Sequence, residues 1–441
     1  MVRYRHQDDK KDLENMLWKH KNSLKALVIV MLLSGCAVDE IYRSKFSPCE
    51  VNNSQSCETA SIQLYHQNSD SEFTLGFVEI DDQGQLRSRK QLRTLLNTLY
   101  EMSAQESLLI NVFVHGWHHN ASPNDANVRS FGKSMKRLSQ VESQLSKARN
   151  QKRRKVVGVY VGWRGESVTT PVINNLTFWD RKSTAQEVGL LGITELLLKL
   201  EEISNIKNTQ DEQNKSRLVV VGHSFGGAAI YSATAQILAS RFVDNQENKN
   251  FDSVAEGFGD LVVLLNPAFE ALRYAPLYDM GQARCGYFPT QRPKLVILTS
   301  EADWATKLAF PIGRALSTVF ETHADVQRSY CGRNLELDEG AADRNTVGHF
   351  EPLMSHTLQP IEKDSNYTEA KVENIGNIWA SQKEGHETKI GRTLLTHLKR
   401  TEPRNPFLNI KVDKALIANH NDVFGDEILE FLRLLIVLST G

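Results

Sequence analysis

Short apolar runs alternate with longer stretches of helical spacing from residue 72 onward. The runs are apolar without interruption, which is typical of strands buried on both faces. We predict strands at Phe73–Ile80, Leu108–Val114, Val156–Val161, Leu218–Val221, Leu261–Leu265, Leu295–Leu298 and Phe407–Ile417. Helices are predicted near 86–103, 128–150, 183–205, 226–242, 305–320 and 426–439. This alternation favours an α/β fold, a mostly parallel doubly wound sheet with helices on both faces.

One long segment departs from this pattern. Residues 306–405 contain few strand-like runs and many polar residues, as in LDEGAADRN and EKDSNYTEAKVEN. A loop of that length is usually functional or has structure of its own. We therefore interpret the segment as an insertion that lies over the sheet, before the last strand, within a single domain over residues 71–441.

The N-terminal residues have the pattern of a secretory signal. Lysines at positions 19, 21 and 25 precede an eight-residue apolar run, Ala26–Leu33, which is followed by Ser34-Gly35-Cys36. The run is too short to span a bilayer, which needs about 20 residues. Cations, an apolar run and small residues in that order predict a signal peptide over residues 1–35. Because fifteen mostly polar residues precede Met16, translation from Met16 is an alternative to a start at Met1.

The end of the apolar run resembles the lipobox of bacterial lipoproteins, in which the cysteine becomes the first mature residue and carries lipid. The resemblance implies that Cys36 is lipidated and that the polar residues 36–70 tether the domain to the membrane. An aspartate after this cysteine typically retains such proteins at the inner membrane of Gram-negative bacteria, and here the position is Ala37. The resemblance thus implies a lipid-anchored envelope protein of the outer membrane that faces the periplasm. The alternative is a soluble chain with a buried N-terminal helix.

Four cysteines remain besides Cys36. An even number in an oxidising compartment suggests disulfides. Proximity in the sequence favours Cys49 with Cys57 and Cys285 with Cys331, although three pairings are possible. The four have no metal-site spacing, so no zinc site is expected.

The charge balance argues against a nucleic-acid partner. The formal net charge is −1, and 24% of the 441 residues are charged. The single dense basic run, residues 149–155, has no interleaved aromatic residues and is interpreted as the solvated end of a helix. The sequence does not indicate an oligomeric state.

The stretch VVVGHSFGG, residues 219–227, places one serine between glycines where a predicted strand meets a predicted helix. Gly222-x-Ser224-x-Gly226 is the nucleophile-elbow motif, in which the serine occupies a strained turn. Helix N-terminal amides favour negative charge at that oxygen. Ligands of an α/β sheet also bind at the carboxyl ends of its strands. We therefore hypothesise that Ser224 is a nucleophile; the alternative is an ordinary strand-to-helix turn.

A serine with its ordinary pKa is a weak nucleophile and needs a base, which an acid orients. In elbow-bearing hydrolases the chain order is Ser, Asp or Glu, then His. The predicted strand Leu295–Leu298 runs into Thr-Ser-Glu-Ala-Asp, which ends at Asp303. Two later histidines stand out: His420 precedes the last predicted helix, and His349 lies inside the insertion.

Together these motifs resemble the α/β-hydrolase superfamily, over about residues 72–441. The resemblance implies that Asp303 is the triad acid, at the end of the penultimate strand, with Ser300 in place of a glycine and Glu301 as the alternative acid. It implies that His420 is the base, because the superfamily carries its histidine in the loop before the last helix. His349 is the alternative base, or a loop histidine near the site.

The resemblance also implies an oxyanion hole, which stabilises the tetrahedral intermediate. The sequence after Leu108–Val114 resembles the superfamily's His-Gly motif, so the donors would be the backbone N–H groups of Trp117 and Phe225. The residues expected to support this arrangement are His115, Gly116, Gly222 and Gly226. His115 is interpreted as structural, and the glycines leave room for close backbone approach.

Two neighbouring stretches have alternative interpretations. His118-His119-Asn120 is interpreted as a hydrogen-bonded loop rather than a metal site, because adjacent histidines point apart and a third ligand has no suggestive spacing. Trp163-Arg164-Gly165 either lines a substrate pocket or packs against the fold. Neither a metal nor a cofactor is expected.

The resemblance implies a serine hydrolase of the esterase or lipase type. Its substrate would be a carboxylic ester or an acyl lipid, cleaved through an acyl-enzyme on Ser224. Because fold alone does not define function, a non-catalytic envelope protein for binding or scaffolding is an alternative. An acyltransferase or peptidase with the same triad is another.

Overall fold

The computed structural model describes residues 40–51, 56–163, 184–209, 214–244, 254–318, 321–361 and 374–440. Outside these ranges lie the predicted signal peptide with Met16, the predicted lipidation site Cys36, Arg164 and Gly165. Within them, every helix falls short of the length and apolar character that a bilayer crossing requires.

Fourteen strands run through the described ranges. They are Lys45–Val51 (β1), Ala60–Tyr65 (β2), Phe73–Glu79 (β3), Leu108–Val114 (β4), Lys155–Gly162 (β5), Arg217–His223 (β6), Leu261–Leu265 (β7), Leu295–Ser300 (β8), Asp325–Tyr330 (β9), Arg333–Asp338 (β10), His356–Pro360 (β11), Glu387–Ile390 (β12), Thr393–His397 (β13) and Phe407–Val412 (β14). Twelve of them form one sheet in the order β1-β2-β3-β5-β4-β6-β7-β8-β14-β11-β13-β12, and β9 with β10 forms a separate hairpin.

The centre of the sheet is parallel from β3 through β11. All residues of β4 and of β7 are buried, as expected for strands covered on both faces. The predicted α/β fold with a mostly parallel sheet is therefore confirmed at this level. The predicted strands all occur, β4 and β7 with the predicted ends and the others with shifted ends. The longest difference is at β14, where the prediction extended to Ile417 and the strand ends at Val412.

Helices cover both faces of the sheet. They are Arg89–Gln105 (α1), Ala126–Ala148 (α2), Thr194–Asn208 (α3), Phe225–Asp244 (α4), Ala271–Ala283 (α5), Phe310–Ser317 (α6), Glu339–Arg344 (α7), Ile375–Ala380 (α8) and Asp426–Thr440 (α9), with π-helical turns at Gly189–Ile193 and Ala305–Ala309. One core cluster joins the sheet to α1, α3, α4 and α5. A second joins the opposite face to α2 and α9. The sheet is thus the middle of three layers.

Two expectations about the flanking segments were wrong. Residues 36–70 were expected to form only a tether, but β1 and β2 extend the sheet from within them. Residues 306–405 were expected to lie over the sheet, but they supply β11, β12 and β13 at its other edge as well as the hairpin β9–β10. β1 was missed because an edge strand exposes many side chains, and β1 lacks a fully buried position.

The cysteines pair as proximity in the sequence favours. Cys49 lies at disulfide distance from Cys57, and Cys285 lies at disulfide distance from Cys331. The second pair connects the residues after α5 to the turn of the hairpin β9–β10. Closing a loop of this length contributes about 4 kcal/mol in the chain-entropy view, so the pair attaches the hairpin firmly to the domain.

Candidate active site

The candidate site lies where the order of strands reverses. β5 lies on one side of β4 and β6 on the other, so the connections after β4 and after β6 diverge at the carboxyl edge of the sheet. Such a switch point opens a crevice, which is the usual ligand position in open α/β sheets. Ser224 follows β6 directly, and His115 follows β4.

Ser224 occupies the turn between β6 and α4 in a left-handed conformation, with φ of 55°. This region disfavours residues with a side chain and costs on the order of 1 kcal/mol or more. Three backbone hydrogen bonds hold it: the Ser224 N–H donates to the Leu265 carbonyl at 2.9 Å, and the Ser224 carbonyl accepts from the N–H groups of Ala228 and Ala268, both at 3.2 Å. The strained turn that the motif predicts is present.

Glycine is required on both sides of this serine because other backbone segments pass very close. A Cβ on Gly226 would lie 2.2 Å from the Val114 carbonyl oxygen, and one on Gly222 would lie 2.7 Å from the Gly226 carbonyl oxygen. A Cβ on Gly116 would lie 2.7 Å from the Ser224 Cβ. The loop after β4 therefore rests directly against the serine.

The structure brings Ser224, His420 and Asp303 together in one hydrogen-bonded chain. His420 Nε2 lies 2.7 Å from Ser224 Oγ, and His420 Nδ1 lies 2.8 Å from Asp303 Oδ2. Because a carboxylate only accepts, Nδ1 carries the hydrogen and Nε2 accepts from the serine hydroxyl. Asp303 is fully buried, and the His420 side chain is 15% exposed. We call this chain of contacts the Ser224–His420–Asp303 relay.

Asp303 is held in its charged form. Burial alone raises the pKa of this carboxyl, but hydrogen bonds from His420 and Thr306 outweigh burial, so the pKa is lowered from its ordinary value. The Thr306 N–H donates to Oδ1 at 3.2 Å, and the Thr306 hydroxyl donates to Oδ2 at 2.5 Å. A charged carboxylate at Nδ1 fixes the imidazole tautomer that the Ser224 hydroxyl needs.

The two alternative residues lie outside the relay. His349, in a 3₁₀ turn, contacts Thr306 Oγ1 at 3.0 Å through Nε2, and it reaches the Asp303 backbone but reaches the carboxylate only through Thr306. Burial lowers the pKa of His349 to about 4, against the opposing effect of Asp303. Glu301 is half-buried, and its Oε2 lies 3.7 Å from Lys411 Nζ.

Two residues that the sequence analysis missed as supports fix the position of His420. The His223 Nε2–H and the Asn266 amide donate to the His420 carbonyl at 2.8 Å and 2.9 Å. Asn266 Oδ1 also accepts from the Ser300 N–H at 2.9 Å, which connects the end of β8 to the His420 loop. Asn266 directly follows β7, so its place at the carboxyl edge of the sheet was the signal that could have identified it.

His223 is neutral in this position. Burial and the nearby His420 lower the pKa of His223 to about 3. A neutral imidazole with hydrogen on Nε2 can donate to the His420 carbonyl and adds no charge beside the relay. His223 therefore acts as a fixed hydrogen-bond donor within the described site.

His115 shapes the loop that carries Gly116 and Trp117. Its Nδ1–H donates to the Gly116 carbonyl at 2.8 Å, and its Nε2 accepts from the Trp163 N–H at 3.0 Å. The Trp163 indole is buried, stacks on the His115 ring and donates to the His115 carbonyl at 2.9 Å. Of the two interpretations of Trp163, the packing one describes this arrangement. The Trp117 and Phe225 rings meet edge to face, 6.5 Å apart.

The neighbouring histidines contribute to loop structure. His119 Nδ1 lies 3.1 Å from a carboxylate oxygen of Asp125, the N-cap of α2, and the His118 ring stacks on Trp117. Burial also lowers the pKa of His115 to about 4. The hydrogen-bonded loop interpretation thus fits the contacts that the structure gives these residues.

One group of potential metal ligands occurs in the described ranges, away from the relay. Glu321, His323 and Asp343 have ligand atoms within 4.8 Å of one another. The Arg314 guanidinium lies among them, 2.7 Å from Asp343 Oδ1 and 3.7 Å from Glu321 Oε2. Arginine already compensates the negative charge there, and a cation would be repelled by it.

Comparison with known proteins gives no relative. No family model matches the sequence, and no curated protein or solved structure matches it significantly. The argument for a function therefore depends on the geometry of the described residues.

Proposed function

We propose that the protein is a serine hydrolase of the α/β-hydrolase type that cleaves carboxylic esters. The observation that carries this proposal is the Ser224–His420–Asp303 relay, in which three residues distant in the sequence meet at 2.7 Å and 2.8 Å. A serine, a histidine and a buried carboxylate in this order are the arrangement that activates a hydroxyl for acyl transfer. The strained turn at Ser224 and its place at the switch point are further support.

In this proposal the Ser224 hydroxyl attacks the ester carbonyl carbon while His420 Nε2 takes its proton. Asp303 stabilises the imidazolium that forms, without itself becoming protonated. His420 then returns the proton to the departing alcohol oxygen as the carbon–oxygen bond of the ester breaks, leaving an acyl group on Ser224. Water, deprotonated by His420, releases the acid in the second half of the reaction.

The negative oxygen of the tetrahedral intermediate needs donors beside Ser224. The Phe225 N–H is at the first residue of α4, where the helix dipole favours an anion. The Gly116 backbone rests against Ser224, so the Trp117 N–H is the second candidate donor. His115 and Trp163 hold that loop in place.

The surface beside Asp303 favours acyl lipids as substrates. Trp304 directly follows Asp303, and Leu308 and Ile312 come four and eight residues later. Each of the three side chains is more than half exposed. Such a stripe of large apolar side chains is costly in water and suits a lipid surface. Together with the expected lipid anchor at Cys36, it supports an envelope enzyme that takes its ester from the membrane beside it.

A covalent probe tests the proposal directly. The full-length protein in detergent should be labelled by a fluorophosphonate and should hydrolyse p-nitrophenyl esters. Ser224→Ala should lose both, with a fall in kcat of about 10⁵-fold or more. Ser232→Ala is the matched control, because Ser232 lies on the same helix and its hydroxyl donates to the Ala228 carbonyl. A folded wild type without labelling, or equal labelling of Ser224→Ala, would favour a non-catalytic binding protein.

A further inference from the structure

The most exposed of the large apolar side chains lie at one edge of the sheet. In the described ranges, five such side chains are more than half exposed: Leu190, Leu191, Trp304, Leu308 and Ile312. A large apolar side chain in water is unfavourable, and a group of them marks a surface that binds another molecule. We call these five side chains the apolar rim.

Three members of the apolar rim lie on the helical segment 304–317, which crosses the carboxyl edge of the sheet. Near the start of this segment, the Thr306 hydroxyl donates to the carboxylate of Asp303, which follows β8. Farther along, the Arg314 guanidinium lies 3.3 Å from Glu270 Oε1. Glu270 is the N-cap of α5 and follows β7. The segment therefore contacts residues that come after two neighbouring parallel strands, and it lies across their carboxyl ends.

The two leucines of the apolar rim lie in the π-helical turn Gly189–Ile193, which packs at the same edge. The Gly192 N–H donates to the Gly84 carbonyl at 2.9 Å, and Gly84 lies between the end of β3 and the start of α1. A Cβ on Gly189 would lie 2.2 Å from the Ala229 carbonyl oxygen, near the start of α4. Because β3 ends and α4 begins at the carboxyl edge, the turn lies there as well.

The chain also enters the domain at the carboxyl edge. β1 pairs parallel with β2, and β2 pairs antiparallel with β3, so β1 begins at the edge where β3 ends. The backbone N–H groups of Tyr42 and Arg43 donate to the carboxylate of Glu79, the last residue of β3, both at 2.9 Å. The Arg43 Nε–H donates to the Ala121 carbonyl at 2.8 Å. These contacts fix the point at which the expected tether reaches the domain.

The expected anchor is close to this entry point. Cys36 precedes Tyr42 by six positions, so the chain between them spans at most about 22 Å. The eight residues of β5 alone extend about 26 Å from the amino edge of the sheet to its carboxyl edge. A lipid on Cys36 would therefore hold the carboxyl edge, rather than the opposite one, beside the bilayer.

We propose that the domain docks on a phospholipid bilayer through its carboxyl edge, with the apolar rim inserted at the membrane surface and Ser224 on the side that faces the lipid. Two separate features agree on this orientation, because the rim lies at the edge where the chain enters. The inference rests on the expected anchor and deepens the proposed function, since an acyl lipid could then reach Ser224 directly from the membrane. Because the rim is apolar, docking should require neither anionic lipid nor low salt.

Fluorescent labels on introduced cysteines test the orientation. The full-length protein is incorporated into phosphatidylcholine vesicles and carries nitrobenzoxadiazole at Leu308→Cys, at Leu190→Cys or, at the opposite edge, at Lys152→Cys. Lys152 is exposed and comes three residues before β5 begins. The native cysteines of the domain pair at disulfide distance, and the protein without an introduced cysteine measures any labelling of Cys36.

Lipid that carries a doxyl group should quench only the labels at the carboxyl edge. A side chain inserted to a depth of about 5–10 Å lies among the doxyl groups, so the labels at positions 308 and 190 should lose about half of their intensity or more. The label at position 152 should keep its intensity. The same result is expected in Ser224→Ala, so docking and hydrolysis are measured separately. A protein that hydrolyses esters but lacks quenching at position 308 would overturn the docking and leave the proposed function standing.

A matched pair of surface variants provides a second test. Ile312→Asp places a carboxylate in the apolar rim and should reduce the quenching of the label at position 308 to the level at position 152, because a charge is costly at the boundary of the acyl chains. Ile206→Asp is the control: Ile206 is also exposed, but it lies near the end of α3, where the Asn208 amide donates to the Ser216 carbonyl beside the start of β6. Equal quenching at both edges, quenching that persists in Ile312→Asp, or a label at position 308 that is shielded from water but not quenched, as when a second copy of the chain covers the rim, would each overturn the proposal.

Discussion

Thr306 connects Asp303 to His349. Its hydroxyl donates to Asp303 Oδ2 at 2.5 Å and lies 3.0 Å from His349 Nε2. Because the single hydroxyl hydrogen is used on the carboxylate, His349 must donate its Nε2–H to the threonine oxygen. Three hydrogen bonds, through Thr306 and Asp303, separate His349 from His420, so we expect His349 to position Thr306 and Asp303 rather than to contact Ser224.

The His420 and His349 variants should differ clearly in kcat. His420→Ala removes the group that contacts Ser224 and should lower kcat by about 10⁴-fold or more. His349→Ala removes a support of Thr306 and should cost about tenfold. Hydrolysis of a p-nitrophenyl ester under saturating conditions measures both. If His349→Ala proved as damaging as His420→Ala in a folded protein, the assignment of the base would have to be reversed.

The activity should be sensitive to loss of the Thr306 hydroxyl. Thr306→Val keeps the shape but removes a donor to the Asp303 carboxylate, so we expect the pKa of Asp303 to rise and kcat to fall about tenfold with KM unchanged. Thr306→Ser retains the donor and should keep most of the activity. The relevant measurement is kcat and KM, determined separately for each variant. Equal activities of the Val and Ser variants would contradict a role for this hydroxyl.

Gly116 should not tolerate a side chain. Gly116→Ala would place its Cβ 2.7 Å from the Ser224 Cβ and 3.0 Å from the His223 carbonyl oxygen, so the loop must move away from the serine. We expect activity to fall by about 100-fold, as for loss of an oxyanion donor, with the fold retained by circular dichroism. Gly132→Ala is the control, because its nearest neighbour would be an ordinary 3.7 Å contact with Leu75. Full activity of Gly116→Ala would exclude this loop from the reaction.

The protein should lose stability in mild acid, at pH values well above the ordinary pKa values of carboxylates. Burial lowers the pKa values of His115, His223 and His349 to about 4, 3 and 4, against an ordinary value of 6.5. Between pH 6.5 and about 4 the unfolded chain binds more protons than the folded one, so stability is present above pH 6.5 and is lost as pH falls. Each histidine contributes a slope of up to about 1.4 kcal/mol per pH unit.

Urea unfolding at pH 7, 6 and 5 measures this slope. The free energy of unfolding should fall on the order of 5 kcal/mol between pH 7 and pH 5 when the three histidines act together. His349→Gln removes one titrating group and should give a shallower dependence than the wild type. A flat profile over this range would contradict the neutral, buried state of these histidines.

The expected anchor can be tested in cells. Cys36→Ala removes the thiol that would carry lipid, so the protein should move from the membrane pellet to the soluble fraction. Ser232→Ala, tested in parallel, changes a hydroxyl of the domain and should leave the pelleting unchanged. Unaltered pelleting of Cys36→Ala would exclude Cys36 as the attachment point.

The central strands could be predicted because burial on both faces makes them continuously apolar, as in β4 and β7. The edges could not: β1 and the hairpin β9–β10 are partly exposed, and their composition resembles that of loops. The strained turn at Ser224 could be predicted from a local motif. His420 was proposed as the base because it lies before the last helix.

The supports of the candidate site left no such local signal. Asn266 acts through a contact with His420, which only the folded chain brings near. Thr306 donates to Asp303, three residues away, but its contact with His349 likewise depends on the fold. Their roles are properties of tertiary structure, and a threonine or asparagine in a loop is too common to indicate them. Asn266 could still have been identified from the sequence, because it directly follows β7 at the edge of the sheet where the site lies.

The order of these parts along the chain has a consequence during synthesis. Ser224 and its turn are complete by Gly227, but His420 lies 196 positions after Ser224. A chain growing from its N-terminus would therefore add 196 of its 441 residues after Ser224 before the proposed base is made. Only the last segment, held by the hydrogen bonds of Asn266 and His223 to the His420 carbonyl, would complete the relay on which the proposed activity depends.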